Sequence, residues 1–315
     1  MRALIFHAPG DVRVEEVPDP EPAPGDVLVQ VEVALTDGTD LKAYRRGHPV
    51  LLGEPPSPFG HEFCGIDVAT GRRVVAANSA PCGECGRCRA GRETLCERLL
   101  PLLNGAYAEL LVVPERIART NLHRVPGTVA PEVAALVEPL ACCLHGVDRA
   151  GIEEADDVAI LGAGPIGLML AACVADHGGR PVVVGGRPER RELVPLFGGS
   201  PGDGAGAAVA IEAAGTEEAW TRAVELVRPG GTVVLFGGLP RSAEPRVDAY
   251  RLHYEELTLR GAFHHTPRTV RAALAFLASG ARPWERLITH EVSLDGLPAL
   301  FADPPRDYLK AAVRP

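Results

Sequence analysis

The sequence lacks an excess of basic residues. Its 315 residues include 32 Lys and Arg against 41 Asp and Glu, which gives a formal net charge of −9. Proteins that bind nucleic acid through its phosphates concentrate Lys and Arg on one face. We therefore expect no nucleic-acid partner.

The sequence also lacks the marks of export and of membrane insertion. Residues 1–17 show no cationic start followed by a long apolar segment and a cleavage site, which favours a cytoplasmic location. Residues 158–175 carry no charged side chain, but several glycines and a proline crowd their first half. A buried strand, turn and helix explain this run better than a membrane span, so we expect no membrane contact.

Eight cysteines are too few for a disulfide scaffold in a chain of 315 residues. Four of them, Cys82, Cys85, Cys88 and Cys96, fall within one short segment. Their spacing is typical of four thiolates around a tetrahedral zinc ion. Four protein ligands leave no open position, so this ion would be structural and would stabilise a lobe at about residues 80–98; surface thiols or disulfides are the alternative.

The pattern of apolar and turn-forming residues changes near residue 146. Before it, short β-like runs such as 27–35, which alternates apolar and polar residues, are separated by Pro and Gly. After it, apolar strands (158–161, 181–184, 209–213, 232–236 and 257–263) alternate with helical stretches (166–177 and 217–227). This α/β pattern predicts an irregular β domain at 1–146 and 267–315, and a parallel-sheet domain with crossover helices at 147–266.

The segment 198–208 is unusually short for this architecture. A strand plus a crossover helix needs a dozen or more residues, and five of the residues here are Gly. The third strand of a dinucleotide-binding sheet lies at its edge, where its loss leaves the centre intact. The sequence therefore predicts five strands, one fewer than usual, with a mobile loop in this place.

A glycine-rich turn follows the strand at 158–161. The motif GAGPIG contributes Gly162, Gly164, Pro165, Ile166 and Gly167. Bare backbone N–H groups at a helix start attract a pyrophosphate, so we predict a dinucleotide site, although such glycines also serve plain packing.

The next strand indicates which dinucleotide binds. An NAD enzyme offers an acidic residue to the ribose at its end, but the sequence there is Val184-Gly185-Gly186-Arg187. Arg187 and Arg190 supply the guanidinium groups that a 2′-phosphate requires. We therefore predict NADP as the preferred cofactor, with NAD also accepted; solvated surface arginines are the alternative.

Four further side chains are candidates for a reactive centre, namely Asp37, His61, Glu62 and Glu138. Glu138 lies in an apolar run, where an unpaired carboxylate would be costly unless a cation stood beside it. Taken singly, each has an ordinary explanation: a helix cap or turn for Asp37, a hydrogen-bonded core position for His61, and an arginine partner for Glu138.

Jointly, these motifs resemble the zinc-dependent medium-chain alcohol and polyol dehydrogenases. The similarity runs from PGDVRVEEVPDPEPAPGDVLV through GHEF, the cysteine lobe, VEPLACCLHG and GAGPIG to LITHEVSLDG. It implies a GroES-like β domain and a Rossmann domain, with the active site in the cleft between them. It also implies two zinc ions per chain, one catalytic and one structural, and a dimer or tetramer.

The resemblance assigns individual roles. Asp37, His61 and Glu138 would hold the catalytic zinc, with Glu62 beside them as a second-shell or alternate ligand and Asp40 orienting His61. Thr39 would take the alcohol proton, Lys42 stands where a relay histidine is usual, and Glu109 would bond sugar hydroxyls. Most of the family has Cys where Asp37 stands; aspartate followed by Gly-Thr-Asp is similar to a glucose-dehydrogenase branch that favours NADP.

The predicted function is hydride transfer between an alcohol carbon of a sugar or polyol, with an aldose such as glucose as the first choice, and NADP. A carboxylate is a harder ligand than a thiolate, so we expect a more Lewis-acidic and more easily lost metal. Two alternatives stay open: an enzyme for a non-sugar alcohol, ketone or amino alcohol, and a non-catalytic cofactor-binding descendant with a decayed metal site.

Overall fold

The computed structural model describes residues 1–48 and 50–315. The strands are β1 Arg2–Ala8, β2 Asp11–Glu16, β3 Val27–Leu35, β4 Ser57–Pro58, β5 Glu62–Asp67, β6 Arg73–Ala76, β7 Leu110–Val113, β8 Leu122–Arg124, β9 Asp157–Leu161, β10 Arg180–Val184, β11 Ser200–Gly202, β12 Ala207–Glu212, β13 Val227–Leu235, β14 Thr258–Gly261, β15 Ile288–Ser293 and β16 Lys310–Arg314. The helices are α1 Gly38–Arg46, α2 Gly86–Arg89, α3 Glu115–Asn121, α4 Pro131–Ala134, α5 Val137–Ala150, α6 Pro165–Asp176, α7 Pro188–Arg191, α8 Glu217–Leu226, α9 Ala249–Tyr254, α10 Pro267–Ala278 and α11 Leu297–Ala302. Within the described ranges, none of the helices has the length and apolarity of a membrane span.

The chain forms two compact units. Unit 1 contains Met1–Pro139 and Thr266–Pro315, and unit 2 contains Leu140–His265. The C-terminal segment therefore returns to the unit that holds the N-terminus.

Unit 1 is built on a seven-stranded sheet and a separate three-stranded sheet. The central strand β3 has the predicted alternation, with Val29, Val31 and Val33 buried and Gln30 exposed. Its last residue, Leu35, pairs with Glu62 of β5 on one side and Ala312 of β16 on the other. The end of β3 therefore brings three distant segments of the chain together.

Unit 2 is a parallel sheet in the order β11-β10-β9-β12-β13-β14. Numbered within the unit, this is the order 3-2-1-4-5-6 of dinucleotide-binding domains. The irregular β unit and the parallel-sheet unit confirm the predicted α/β fold.

The predicted number of five strands in this sheet is wrong. The segment 198–208 supplies a sixth strand, β11, which pairs in parallel with β10 at the sheet edge. What is missing is the crossover helix, because β11 ends at Gly202 and β12 begins at Ala207. Sequence reasoning missed β11 because Ser200-Pro201-Gly202 contains no apolar residue of strand type.

Residues 203–206 therefore cross two strands without a helix. Three strand spacings are about 14 Å, and the link must also return from the level of Glu212, where β11 ends, to Ala207, where β12 begins, so it has to run extended along a diagonal. The link lies against the sheet itself: a Cβ on Gly204 would be 2.7 Å from Val184 Cγ2 and 2.8 Å from Ala159 Cβ. Gly204 also has a φ of +66°, so glycine is required there for both space and conformation.

Candidate metal and dinucleotide sites

Asp37 begins helix α1 immediately after the end of β3. Its side chain accepts a hydrogen bond from the backbone N–H of Asp40, and Asp40 accepts one from the backbone N–H of Asp37, which together form a capping box. The helix-cap explanation of Asp37 is therefore correct. It does not exclude a second role, because the cap uses only Oδ1 of Asp37.

His61 lies between these two carboxylates. Nε2 is 3.9 Å from Oδ2 of Asp37, and Nδ1 is 3.4 Å from Oδ1 of Asp40. Asp40 is fully buried, and its other oxygen accepts a hydrogen bond from the Tyr107 hydroxyl. A metal-binding histidine commonly directs its second nitrogen to such a carboxylate, so this geometry leaves Nε2 to face an ion.

Asp37, His61 and Glu62 form a cluster. Each offers one ligand atom, and these atoms lie within 4.8 Å of one another in a buried place. Glu138, in the first turn of α5, is not part of this cluster, although it is only 6% exposed and helps to raise the pKa of His61.

The buried charge around His61 is strongly negative. Asp37, Asp40, Glu62 and Glu138 are all buried, and Lys310 is the buried lysine beside them. Burial alone would lower the pKa of His61, but Asp37 and Asp40 raise it well above the usual value. For the Asp37 carboxylate the directions are reversed: burial would raise its pKa, but His61 and Lys310 hold that pKa below its usual value. Carboxylates that draw a proton onto a buried imidazole fit a site for a divalent cation.

Glu62 has a direct ionic partner. The Nζ atom of Lys310 lies 2.7 Å from Oε1 and 2.6 Å from Oε2 of Glu62, and it also donates to the carbonyl oxygen of Thr36 at 3.1 Å. Burial raises the pKa of Glu62, and the Lys310 ammonium acts in the opposite direction. Lys310 was not singled out from the sequence, although a lysine within the apolar run YLKAAV was a signal of the same kind as Glu138.

The remaining predicted residues of unit 1 have these positions. The Thr39 hydroxyl hydrogen-bonds to the Asp37 carboxylate. Lys42 is half-buried three residues later on α1, on the same side of the helix as Thr39. Glu109 accepts a hydrogen bond from the backbone N–H of Arg2 at 2.8 Å and lies outside the cluster, so its contact with a substrate stays a prediction.

The four cysteines of the predicted lobe converge. Their sulfur atoms lie within 4.8 Å of one another, none is in a disulfide, and the Cys82 and Cys88 sulfurs are 3.9 Å apart. Tetrahedral Zn–S bonds of about 2.3 Å require sulfur separations of about 3.8 Å. Backbone N–H groups donate to the sulfurs, and those of Glu97 and Cys88 lower the pKa of Cys85 to about 6. The lobe therefore fits a four-thiolate zinc ion.

The glycines of the GAGPIG turn have separate roles in unit 2. Gly162 has a φ of +114° and forms the turn, while Gly164 has open space where a side chain would be. A Cβ on Gly167 would overlap the carbonyl oxygen of Gly162, so this glycine permits close packing of helix on strand. No side chain caps the N-terminus of α6. An uncapped helix start behind an open glycine fits a pyrophosphate.

Arg187 follows a second place where two segments of backbone lie very close together. Gly185 and Gly186 have φ values of +78° and +87°, and a Cβ on Gly186 would overlap that of Ala163 in the glycine turn. The end of β10 is therefore pressed against the turn, and Arg187 comes next, at the start of α7. Arg187 is exposed and Arg190 is half-buried.

Known proteins share both halves of this arrangement. Residues 23–126 match the alcohol dehydrogenase GroES-like domain, and residues 201–279 match the zinc-binding dehydrogenase family. The erythritol/L-threitol dehydrogenase of Mycolicibacterium smegmatis is 32% identical over 93% of this chain and 91% of its own length. The L-galactonate-5-dehydrogenase of Escherichia coli is 30% identical over 92% and 91%.

A solved structure gives the same result. A protein described as a zinc-binding dehydrogenase from Sinorhizobium meliloti 1021, solved with NADP, has a TM-score of 0.88 and 32% identity, covering 100% of this chain and 99% of that one. The chain belongs to the zinc-binding medium-chain alcohol dehydrogenase family. It is an alcohol dehydrogenase-like oxidoreductase.

Proposed function

We propose that this protein transfers hydride reversibly between NADP and a carbinol carbon of an open-chain polyol or sugar acid. The observation that carries the proposal is the buried convergence of Asp37, His61 and Glu62, with the Nε2 face of His61 turned toward Asp37. The two relatives act on erythritol or L-threitol and on L-galactonate, by their names. These are open-chain compounds, so we propose this class rather than glucose.

The residues of unit 1 would have three separate roles at the reacting carbon: metal binding, proton transfer and positioning of His61. Asp37 and His61 would hold a zinc ion with Glu62 of the same cluster as the third ligand, the alternate role that the resemblance gives it, and Glu138 lies outside this cluster. When bound, the ion supplies a Lewis acid for the substrate oxygen. The Thr39 hydroxyl, held against Asp37, would accept the alcohol proton while it gives up its own, and Lys42 one turn later, in its neutral amine form, would take that proton and release it to solvent. Asp40 would fix the ring of His61 through Nδ1.

The residues of unit 2 would bind the hydride acceptor, NADP. The turn Gly162 to Gly167 and the start of α6 would bind the pyrophosphate. Arg187 would bind the 2′-phosphate, since the sequence offers no carboxylate at the end of β10 to hold the ribose hydroxyls of NAD.

The test is turnover with a substrate panel, using each of NADP and NAD. The panel contains erythritol, threitol, sorbitol, galactonate, glucose and threonine. We expect turnover of polyols or sugar acids with NADP, its loss after chelation, and its return with added zinc. Turnover of threonine alone would contradict the substrate class, and activity that survives complete removal of zinc would contradict the metal site.

Metal content gives an independent measurement. We expect about two zinc ions per chain, one in the cysteine lobe and one at the Asp37 cluster. A single ion per chain in the unaltered protein, with the same content in Asp37→Ala, would favour the non-catalytic alternative.

A further inference from the structure

Glu212 is a buried carboxylate at the carboxyl end of β12 in unit 2. It is 0% exposed and is the last residue of the strand. Its side-chain Oε1 accepts hydrogen bonds from the backbone N–H groups of Ala214 at 2.8 Å and Gly215 at 2.6 Å. Its carbonyl oxygen accepts from the N–H groups of Phe236 at 3.1 Å and Gly237 at 2.9 Å. One residue therefore joins the segments that follow β12 and β13.

The segment that follows β13 has no spare room beside this carboxylate. A Cβ on Gly237 would lie 2.6 Å from Oε2 of Glu212 and 2.6 Å from the backbone nitrogen of Gly215. The indole N–H of Trp220 donates to the carbonyl oxygen of Gly237 at 2.9 Å and holds it from the other direction. Gly237 is thus fixed between Glu212 and helix α8.

The segment that follows β12 also contacts the glycine turn after β9. The N–H of Ala213 donates to the carbonyl oxygen of Leu161 at 3.1 Å. A Cβ on Gly162 would lie 3.4 Å from the backbone nitrogen of Ala214, so the two segments are close. Through Ala214, the Glu212 carboxylate is therefore linked to the proposed pyrophosphate site.

The strand order indicates which part of a dinucleotide would lie over these segments. The proposed pyrophosphate site follows β9, and Arg187, proposed for the 2′-phosphate, follows β10. In the sheet, β10 lies on one side of β9 and β12 and β13 lie on the other. A dinucleotide crosses the carboxyl ends of the strands where the order reverses. With the adenosine half at β10, the nicotinamide half belongs at β12 and β13.

The two segments contain little else that could fix their shape. Residues 213–215 are two alanines and a glycine, and residues 236–238 are a phenylalanine and two glycines. Glycine-rich backbone has many accessible conformations, and a buried N–H without a partner is costly. The hydrogen bonds from Ala214 and Gly215 to Glu212 therefore order a surface that small side chains leave under-determined.

We propose that Glu212 is a positioning residue for the nicotinamide half of NADP, acting through the backbone of segments 213–215 and 236–238. Because its side chain is buried, it acts without touching the cofactor. This inference rests on the proposed function, since it presupposes a pyrophosphate at the glycine turn.

Calorimetric titration with two ligands tests the proposal. One ligand is NADP, and the other is adenosine 2′,5′-bisphosphate, which has the adenosine half but no nicotinamide. Glu212→Ala should bind NADP about ten-fold more weakly and bind the bisphosphate as the wild type does. Glu212→Gln keeps an acceptor oxygen for Ala214 and Gly215, so it should bind both ligands normally. If Glu212→Gln binds NADP as weakly as Glu212→Ala, positioning by these hydrogen bonds is overturned.

Asp156→Ala is the matched control. The Asp156 carboxylate accepts from the backbone N–H of Glu153 at 2.9 Å, just before β9 at the opposite end of the same sheet. Its loss should change the affinity for neither ligand. If Glu212→Ala is recovered unfolded, Gly237→Ala decides, because its added Cβ would displace the Glu212 carboxylate. Weakened binding of NADP alone supports the proposal, and any other result overturns it.

The outcomes also separate this inference from the proposed function. If the wild type binds neither ligand, the dinucleotide site is wrong and the role of Glu212 falls with it. If the wild type binds both and Glu212→Ala weakens both equally, or neither, only the role of Glu212 is overturned. If NADP alone is weakened but no polyol or sugar acid is turned over, the role of Glu212 stands and the proposed substrate class fails.

Discussion

Asp37 and Asp40 bind each other's backbone across the first turn of α1. The N–H of Asp40 donates to Oδ1 of Asp37 at 2.7 Å, and the N–H of Asp37 donates to Oδ2 of Asp40 at 3.0 Å. The second oxygen of Asp37 faces His61. One carboxylate therefore serves a helix with one oxygen and the proposed metal ion with the other.

These two roles can be separated by comparing Asp37→Asn with Asp37→Ala. Asn caps helices as well as Asp does, whereas Ala loses the cap and about 1 kcal/mol of stability. In metal-stripped protein, Asp37→Asn should therefore be more stable to urea than Asp37→Ala. Both should lose about one zinc ion per chain. Equal stabilities would show that the cap contributes nothing, and full zinc content in both would remove Asp37 from the ligand set.

The cysteine lobe should depend on its metal. Cys88→Ser removes one of four converging thiolates, so about one zinc ion per chain should be lost. Without that ion the lobe has little core of its own, and limited proteolysis should cut within residues 80–98. Cys142→Ser, which changes a half-buried cysteine outside the lobe, should alter neither the zinc content nor the cleavage pattern. A lobe that stays resistant to protease in zinc-free Cys88→Ser protein would contradict a stabilising role of the metal.

Arg187 should discriminate between the two nicotinamide cofactors. A hydrogen bond to a charged group is worth about 1.5–3 kcal/mol, so Arg187→Ala should weaken NADP binding by about ten- to a hundred-fold. The affinity for NAD should barely change, since NAD has no 2′-phosphate. Arg222→Ala, on the exposed side of α8 with Glu225 as its partner, is the control and should affect neither. Equal losses for NADP and NAD in Arg187→Ala would refute contact with the phosphate.

Gly185 and Gly186 provide a matched pair for the close approach at the end of β10. Both have left-handed φ values, so alanine at either costs about 1–2 kcal/mol of backbone strain. Only at Gly186 does the added Cβ also overlap Ala163; Gly185 has nothing within 4 Å. Gly186→Ala should therefore weaken cofactor binding, measured by calorimetry, well beyond Gly185→Ala. Equal effects would indicate that strain alone matters.

Local patterns predicted much of this molecule. The alternation in 27–35 and the glycine turn after β9 depend on neighbours in sequence, and both are present. The cysteine spacing likewise predicted convergence, which the structure shows.

The features missed depend on distant partners. Lys310 meets Glu62 across 248 positions of sequence, through the pairing of β16 with β3. Tyr107 reaches Asp40 over 67 positions. Neither segment contains a pattern that specifies the other, so the two contacts that set the electrostatics behind His61 became visible only in three dimensions.

The short link at 203–206 has a consequence for protein engineering. At this corner of unit 2 a few glycine-rich residues replace a covering helix, and Val182 and Val184 beneath them are only half-buried. The strand order is kept because any link that joins β11 to β12 is enough for it. Shielding the strands from water, by contrast, requires the side chains of a covering helix. A grafted helical segment here would thicken that corner without changing the topology, which makes the link a natural point for insertion or for tightening the domain against heat.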